Sequence, residues 1–264
     1  MDALEAFLLG VIQGLTEWLP VSSSGHLVVA QNLLELRAEE QLVFDLVVHL
    51  GTILAVIVFF RKELARIVAS FFTSAERSDP QRRDLRKLGL LLLLATIPVA
   101  VAGLLIGDRM EDIFDMDYVG FAFVMNACIL FVASRFWSAG NKRSAGTSDS
   151  IVIGLFQAIS IVPGISRSGS TISGGMARGL EKETAAVFAF LLSVPTLLGA
   201  FAYGIVTLDS YETDLASATI GFVTAFLVGL VSIKYLLKAV KAGKLWWFGA
   251  YTLALGLAII ALTL

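Results

Sequence analysis

The residues able to do chemistry in this chain are gathered into two short stretches. In the first, Gln13 and Glu17 are spaced one helical turn apart, and Pro20-Val21-Ser22-Ser23-Ser24-Gly25-His26 follows directly. A carboxylate, hydroxyls and an imidazole brought together can activate a nucleophile and protonate a leaving group. Glu17 can also hold a divalent cation, with Gln13 or a serine as a further oxygen ligand. The second stretch reads Pro163-Gly164-Ile165-Ser166-Arg167-Ser168-Gly169-Ser170-Thr171. A Pro-Gly break followed by a helix start aims free N–H groups and the positive end of the helix dipole at one point, which makes an anion site. Arg167 adds a planar, permanently charged fork suited to phosphate oxygens. Ser166, Ser168, Ser170 and Thr171 add hydroxyl donors. Plainer readings exist for each residue taken singly: Glu17 as a protonated structural acid, His26 and Arg167 as interfacial residues, the serines as helix-packing positions. The combination of the two sets is what favours a working site.

The two stretches are copies of one pattern. Advancing the first by 144 positions carries Gly10, Gln13, Ser22, Ser24 and Gly25 onto Gly154, Gln157, Ser166, Ser168 and Gly169 without a gap. Polar groups are costly in hydrocarbon, so a duplicated polar cluster in an apolar chain suggests two half-sites joined by an internal repeat.

The elements that must position these residues are membrane helices. Of the 264 residues, 57% are hydrophobic and only 16% charged, too little charge to cover a soluble domain. The net charge of −2 gives no reason to expect nucleic acid. The single cysteine, Cys128, rules out a disulfide framework and reads as a small buried hydrophobe. The N-terminus lacks a basic region and a small-residue cleavage site, so no removable signal peptide is expected. Six stretches are long enough to cross a bilayer: 42–60, 88–106, 118–137, 185–204, 217–237 and 246–264. The motif segments, 3–36 and 151–180, are instead interrupted by Pro, Gly and Ser, and each half is too short to cross. They read as re-entrant helix hairpins, whose broken backbone is tolerated only beside protein or a wet cavity.

Loop charge gives the orientation. Arg61, Lys62, Arg66, Arg77, Arg82, Arg83, Arg86 and Lys87 place the loop after the first span in the cytoplasm. The next loop holds Asp108, Glu111, Asp112, Asp115 and Asp117 against Arg109 and falls outside. Lys142 and Arg143 lie inside, Asp209, Glu212 and Asp214 outside, and Lys234, Lys238, Lys241 and Lys244 inside. Three spans separate the hairpins, so the first enters from outside and the second from the cytoplasm, with their tips meeting near the midplane. The fold expected is an all-α integral membrane protein: one domain over 1–264, with an inverted-topology repeat of 1–137 on 151–264, built of six transmembrane helices and two re-entrant hairpins. Other polar residues carry less weight. Asp45 and His49, one turn apart, can line the cavity or bind a cation, with a solvated helix end as the favoured reading; Asn126 reads as an interhelical hydrogen bond, and Trp246, Trp247 and Tyr251 as an interfacial belt.

At its two motifs the chain resembles the undecaprenyl-diphosphate phosphatase family, the bacterial bacitracin-resistance proteins. The family's first signature is Glu or Gln, three residues, Glu, then Pro-Val-Ser-Ser-x-Gly-His; here these are Gln13, Glu17 and Pro20 to His26. Its second, Pro-Gly-x-Ser-Arg-Ser-x-x-Thr, runs here from Pro163 to Thr171. The resemblance implies removal of the terminal phosphate of undecaprenyl diphosphate, which recycles a lipid carrier of envelope polymers, at a plasma-membrane site facing outward. It implies Glu17, Ser23, His26 and Arg167 as catalytic residues. Ser22, Ser24, Gly164, Ser166, Ser168 and Thr171 would bind the substrate phosphates. It also implies a divalent cation, Mg²⁺ or Ca²⁺, for which the residues themselves offer Glu17 and Gln13 as protein ligands. Many members have Glu where this chain has Gln13, which supplies no charge, so Glu17 takes the main acidic role. Ser23 is the preferred nucleophile, with His26 or an activated water as alternatives. The expected partners are a prenyl diphosphate lipid and the surrounding membrane lipids, with a homodimer left open.

A transporter or flippase of a phosphorylated lipid is the rival reading, because inverted repeats with broken helices also build transporters. A lipid phosphatase of the vanadium-haloperoxidase type would need an upstream Lys–Arg-Pro signature and a late His before an Asp. Neither is present, since His26 and His49 are the only histidines.

Overall fold

The computed structural model describes residues 1–36, 38–72, 79–106, 116–137, 140–207 and 214–263. Their secondary structure is helical, in eleven segments. In chain order these are α1 (Ala3–Thr16), α2 (Ser23–Leu33), α3 (Ala38–Phe59), α4 (Arg61–Phe72), α5 (Pro80–Ile106), α6 (Met116–Phe136), α7 (Thr147–Ile159), α8 (Arg167–Ala177), α9 (Lys182–Thr207), α10 (Leu215–Lys241) and α11 (Leu245–Thr263). Five of them, α5, α6, α9, α10 and α11, are long and apolar enough to cross a membrane. The apolar part of α3, Val43–Phe59, makes a sixth when counted with α4, to which it is bent by 80°. The chain is therefore an all-α, multi-pass membrane protein. Arg77, Asp108, Arg109, Glu111, Asp112, Asp115, Asp209 and Glu212 lie outside the described residues, as does the side chain of Asp117.

The stretch 61–87, expected to be a cytoplasmic loop, is helical over 61–72 and 80–87. Arg61, Lys62 and Arg66 are exposed on one part of α4, whereas Ile67 and Ser70 are buried against α5. A short amphipathic helix turned sharply from the span before it suits a bilayer surface better than a crossing. Arg86 ties it down by donating to the Ser70 carbonyl from Nε at 3.0 Å and Nη2 at 2.5 Å.

The two interrupted segments are the helix pairs α1–α2 and α7–α8. Asp2 starts α1 with a capping box: its Oδ1 accepts from the Glu5 N–H at 2.8 Å, and Glu5 Oε2 accepts from the Asp2 N–H. Each second helix is capped by a serine of the repeat. Ser22 Oγ accepts from the Gly25 N–H at 3.4 Å, and Ser166 Oγ accepts from the Gly169 N–H at 3.1 Å. The repeat extends beyond the motifs. Gln13 Nε2 donates to Thr52 Oγ1 at 3.3 Å, and Thr196 Oγ1 donates to Gln157 Oε1 at 3.2 Å. Thr52 and Thr196 are related by the same shift of 144.

Packing follows the repeat too. The first short helix, α1, lies along α10, and its counterpart α7 lies along α5. Lipid tails are as apolar as leucine, so these contacts rest on close approach rather than on hydrophobic burial. A methyl group at Gly10 would stand 2.8 Å from the Gly221 carbonyl oxygen, and one at Gly154 would stand 2.7 Å from that of Ala95. Across α6 and α11, a methyl at Gly256 would stand 2.7 Å from the Gly120 carbonyl oxygen. Cys128, read from the sequence as buried, is exposed on α6. Its neighbours Asn126, Ala127 and Leu130 form the packed face of that helix. In a membrane an apolar position can face lipid as readily as protein, so apolarity did not distinguish the two.

Candidate active site

Each helix pair breaks at its motif, and the two breaks touch. Residues 17–22 connect α1 to α2, and residues 160–166 connect α7 to α8. A methyl at Gly25 would lie 2.9 Å from Gly164 Cα. Gly164 has φ +101°, a conformation that side chains rarely adopt, and a methyl there would meet Ala122 Cβ at 2.6 Å. Broken backbone in a membrane must find partners inside the protein, and here each break supplies them for the other. The Gly164 N–H donates to Ser22 Oγ at 3.0 Å, and Ser168 Oγ donates to the Leu19 carbonyl at 3.2 Å. Asn126 on α6 joins both. Its Nδ2 donates to the Pro20 carbonyl, and its Oδ1 accepts from the Ser166 N–H, each at 3.0 Å. The interhelical role expected of Asn126 is thus a link between the two breaks.

Glu17 is the centre of the polar cluster. Its Oε2 accepts from Ser23 Oγ at 2.5 Å and from Gln13 Nε2 at 3.0 Å, and its Oε1 pairs with Arg167 Nη2. Glu17 and Arg167 are 150 residues apart in sequence, so this ion pair is made only by bringing the two motifs together. The Arg167 guanidinium carbon also lies 5.7 Å from the centre of the buried Trp18 ring, which fixes the fork over an aromatic face. Trp18 in turn packs against Phe190 of α9 at 5.5 Å.

A cavity of about 170 Å³ opens beside this pair. Glu17, Ser22, Ser23, Ser24, Ser166 and Arg167 line it, together with His49 and Ser160. Gly164, Ser168 and Thr171 stand behind its wall. Thr171 Oγ1 is turned back to the Arg167 carbonyl at 2.8 Å. Gln13 is fully buried behind Glu17. Its amide nitrogen faces the carboxylate, and its Oε1 is buried without a partner.

His26 is turned away from the cavity. Its Nδ1 lies 2.6 Å from the Ser22 carbonyl, which can only accept, so the ring proton sits on Nδ1. The other nitrogen then accepts from the Tyr251 hydroxyl at 2.7 Å. The ring stacks on Tyr251 at 5.6 Å and meets Phe123 edge-on at 5.1 Å. Tyr251, expected only in an interfacial belt, is the partner of a motif histidine. The local effect of this arrangement is on Ser22, which has φ +69° although it is not a glycine. Such a conformation persists only where surrounding contacts over-determine it, and His26, Gly25 and Gly164 all bond to that one residue.

His49 corrects the favoured sequence reading of a solvated helix end and fits its alternative: it lines the cavity with Nε2 3.7 Å from Glu17 Oε2. Its Nδ1 is held by the Asp45 carbonyl at 2.6 Å, and the Asp45 side chain accepts from Gln31 Nε2, also at 2.6 Å. The available signal was its place at helical spacing three residues before Thr52, the partner of Gln13.

Among the described residues no three His, Cys, Asp or Glu side chains are grouped to hold a metal ion. One carboxylate and several serine hydroxyls nevertheless open on the same cavity. That donor set suits a hard cation only when substrate phosphates complete the coordination, as is usual for Mg²⁺.

The chain is similar over nearly its whole length to known proteins. The family model described as bacitracin resistance protein BacA matches residues 6–258. A protein of Korarchaeum cryptofilum is 38% identical over 270 residues, covering 99% of this chain and 100% of its own. One of Carboxydothermus hydrogenoformans is also 38% identical, over 99% of this chain and 98% of its own. Both bear the name undecaprenyl-diphosphatase. A Bacillus cereus protein named undecaprenyl-diphosphatase 3 is 37% identical over 99% of this chain and 98% of its own length. With both motifs intact and the match running nearly end to end, the chain belongs to the BacA bacitracin resistance protein family.

Proposed function

We propose that this protein is a membrane-embedded undecaprenyl-diphosphate phosphatase that releases undecaprenyl phosphate and inorganic phosphate. The observation that carries the chemistry is the chain Ser23–Glu17–Arg167 on the wall of one cavity. Arg167 and the N-terminus of α8 hold the terminal phosphate, whose oxygens displace the Glu17 carboxylate from the guanidinium. Ser23 Oγ attacks the terminal phosphorus while Glu17 Oε2 takes its proton. The bond from that phosphorus to the bridging oxygen breaks, and the departing lipid monophosphate takes up the proton from Glu17. Water then attacks the phosphoserine, Glu17 accepts a proton from it, and that proton returns to Ser23 Oγ as inorganic phosphate leaves. Positive charge positioned for the transition state supplies most of the acceleration.

A divalent cation, Mg²⁺ or Ca²⁺, would be held by Glu17 and the phosphate oxygens, and would supply charge that neutralises the diphosphate. His26 supports the reaction indirectly, by fixing Ser22 beside the nucleophile. The site is accessible from the outer side of the plasma membrane. This reading rests on loop charge, because the cavity residue Val99 lies toward the end of α5 that is remote from its basic start.

The deciding assay is phosphate release from a prenyl diphosphate by purified protein in detergent with Mg²⁺. Wild type should release phosphate, and Glu17→Gln should not. A phospho-enzyme trapped by acid quench should map to Ser23 by mass spectrometry. Label on His26 would overturn the assignment of the nucleophile.

A further inference from the structure

We propose that Tyr251 is a positioning residue of the active site: through His26, its hydroxyl holds Ser22 and so sets where the Ser23 hydroxyl stands. The proposal rests on the phosphatase reading, with Ser23 as nucleophile, and adds a residue that lies in neither motif. The bonds form one chain. The Tyr251 hydroxyl donates to His26 Nε2 at 2.7 Å, and His26 Nδ1–H donates to the Ser22 carbonyl at 2.6 Å. That carbonyl also accepts the His26 backbone N–H, at 3.2 Å. A neutral imidazole carries one proton, so a donor at Nε2 keeps that proton on Nδ1, where Ser22 takes it up. Ser22 directly precedes Ser23, and both line the cavity; His26 and Tyr251 stand outside its lining.

The two breaks differ in the way this brace requires. Ser22 and Ser166 are equivalent residues of the repeat, and each caps the second helix of its pair. Ser166 has φ −71°, an ordinary value, whereas Ser22 has φ +69°. A residue other than glycine pays for that conformation and keeps it only where contacts hold it. The shift of 144 carries His26 onto Ser170, whose hydroxyl is buried without a partner. Brace and strained backbone therefore occur together in the half that carries Ser23, and the equivalent residues of the half that carries Arg167 have neither. Tyr251 is also firmly seated. Its helix α11 is pressed against α6, where a methyl at Gly249 would stand 3.3 Å from the Ala127 carbonyl oxygen. The Tyr251 ring stacks on His26 within 10° of parallel, and Phe123 of α6 meets the imidazole edge-on. The imidazole is thus held by one ring from each helix of a closely packed pair.

Tyr251→Phe removes the hydroxyl and keeps the stacked ring, so the fold is preserved. With a prenyl diphosphate and Mg²⁺ it should lower kcat about tenfold or more, with KM and melting temperature near those of wild type, because the lost donor loosens a histidine that stands outside the cavity. His26→Asn keeps an N–H donor close to the place of Nδ1 but has no ring to meet Tyr251. It should turn over faster than His26→Ala, and adding Tyr251→Phe to it should lower kcat no further. A second readout needs no turnover. The chain has two histidines, His26 and His49, so their ring-nitrogen NMR signals can be told apart by comparison with His26→Asn. Tyr251→Phe should shift the His26 signals and leave those of His49 in place. Four results would each overturn the proposal: a kcat in Tyr251→Phe within about twofold of wild type, an equal loss in the His26→Asn background, His26→Asn no faster than His26→Ala, or unmoved His26 signals. A wild-type protein that releases no phosphate would instead defeat the phosphatase reading, and the histidine signals would still decide whether Tyr251 fixes the imidazole.

Discussion

Arg167 and Glu17 hold each other in the free protein, and the same pairing explains how they are used. A buried charge left without its partner costs about 3–5 kcal/mol, so either residue alone would be a liability at this depth. In the proposed reaction, substrate phosphate would replace one carboxylate by another anion on the same fork and release Glu17 to act as a base. Arg167→Lys keeps the charge but loses the planar fork. It should lower kcat by about 10²-fold or more with little change in melting temperature, as read by phosphate release and thermal unfolding in detergent. Unchanged kcat would mean that charge alone suffices. Gln13→Glu tests the cation. A second carboxylate beside Glu17 should lower the Mg²⁺ concentration needed for half-maximal activity, because like charges at one site are relieved by a bound cation. If that concentration stays the same, Gln13 acts only as a donor to Glu17. The chemical types in this cluster were legible from the sequence, since carboxylate, hydroxyl and guanidinium in two matched motifs narrow the chemistry sharply. Which of them face one cavity was not. His26 and His49 are both imidazoles near a motif, and only packing decides that the first meets Tyr251 and the second meets Glu17.

The breaks between short helices are the elements on which the site depends. They persist because each satisfies the other's backbone, through Ser22, Asn126 and Ser168. Interhelical hydrogen bonds in membranes contribute only about 0.6 kcal/mol each, so close contact at Gly25 and Gly164 must contribute as well. Gly164→Ala combines an unfavourable left-handed backbone with a methyl placed 2.6 Å from Ala122 Cβ. It should destabilise the protein by about 2–4 kcal/mol, seen as a lower melting temperature in detergent together with lost turnover. A fully stable Gly164→Ala protein would mean that the second break can relax away from α6. The far end of this helix pair has its own fastening. The Asp149 carboxylate takes hydrogen bonds from the Gly146 N–H at 3.0 Å and Arg178 Nε at 2.9 Å, with Lys142 Nζ at 3.4 Å. Asp149→Asn should cost about 1–3 kcal/mol without changing the chemical step, and a variant with reduced kcat but wild-type stability would contradict that division of labour. Apolar length and Pro-Gly-Ser interruptions were enough to locate these elements. The surface helix α4 escaped because eight positive charges over 61–87 look like a loop, although alternate faces of the segment are apolar.

At the scale of the whole molecule, the proposed two-fold relation between halves makes a statement about sides of the membrane that packing alone does not. The contacts pair α1 with α10 and α7 with α5, and Gln13–Thr52 with Gln157–Thr196. Such an exchange is what two inverted halves would produce, with one helix pair entering from each face. On the proposed orientation, the basic residues of α4 and the start of α5 mark the inner side. Lys142, Arg143 and Arg178, at the outer ends of the second pair, would then lie on that side, and Ala3 at the start of the first pair on the other. Ala3 and Arg143 are both exposed, and the Arg143–Glu181 pair at 3.0 Å is a surface contact of little energetic weight. Single cysteines at these positions, in a Cys128→Ser background, can therefore be labelled without harm to the fold. In intact cells a membrane-impermeant maleimide should label Ala3→Cys, and should label Arg143→Cys only after the membrane is opened. Labelling of both from outside would place the two helix pairs on the same face. The touching breaks would then need a parallel repeat, and the outward-facing cavity would lose its argument from charge.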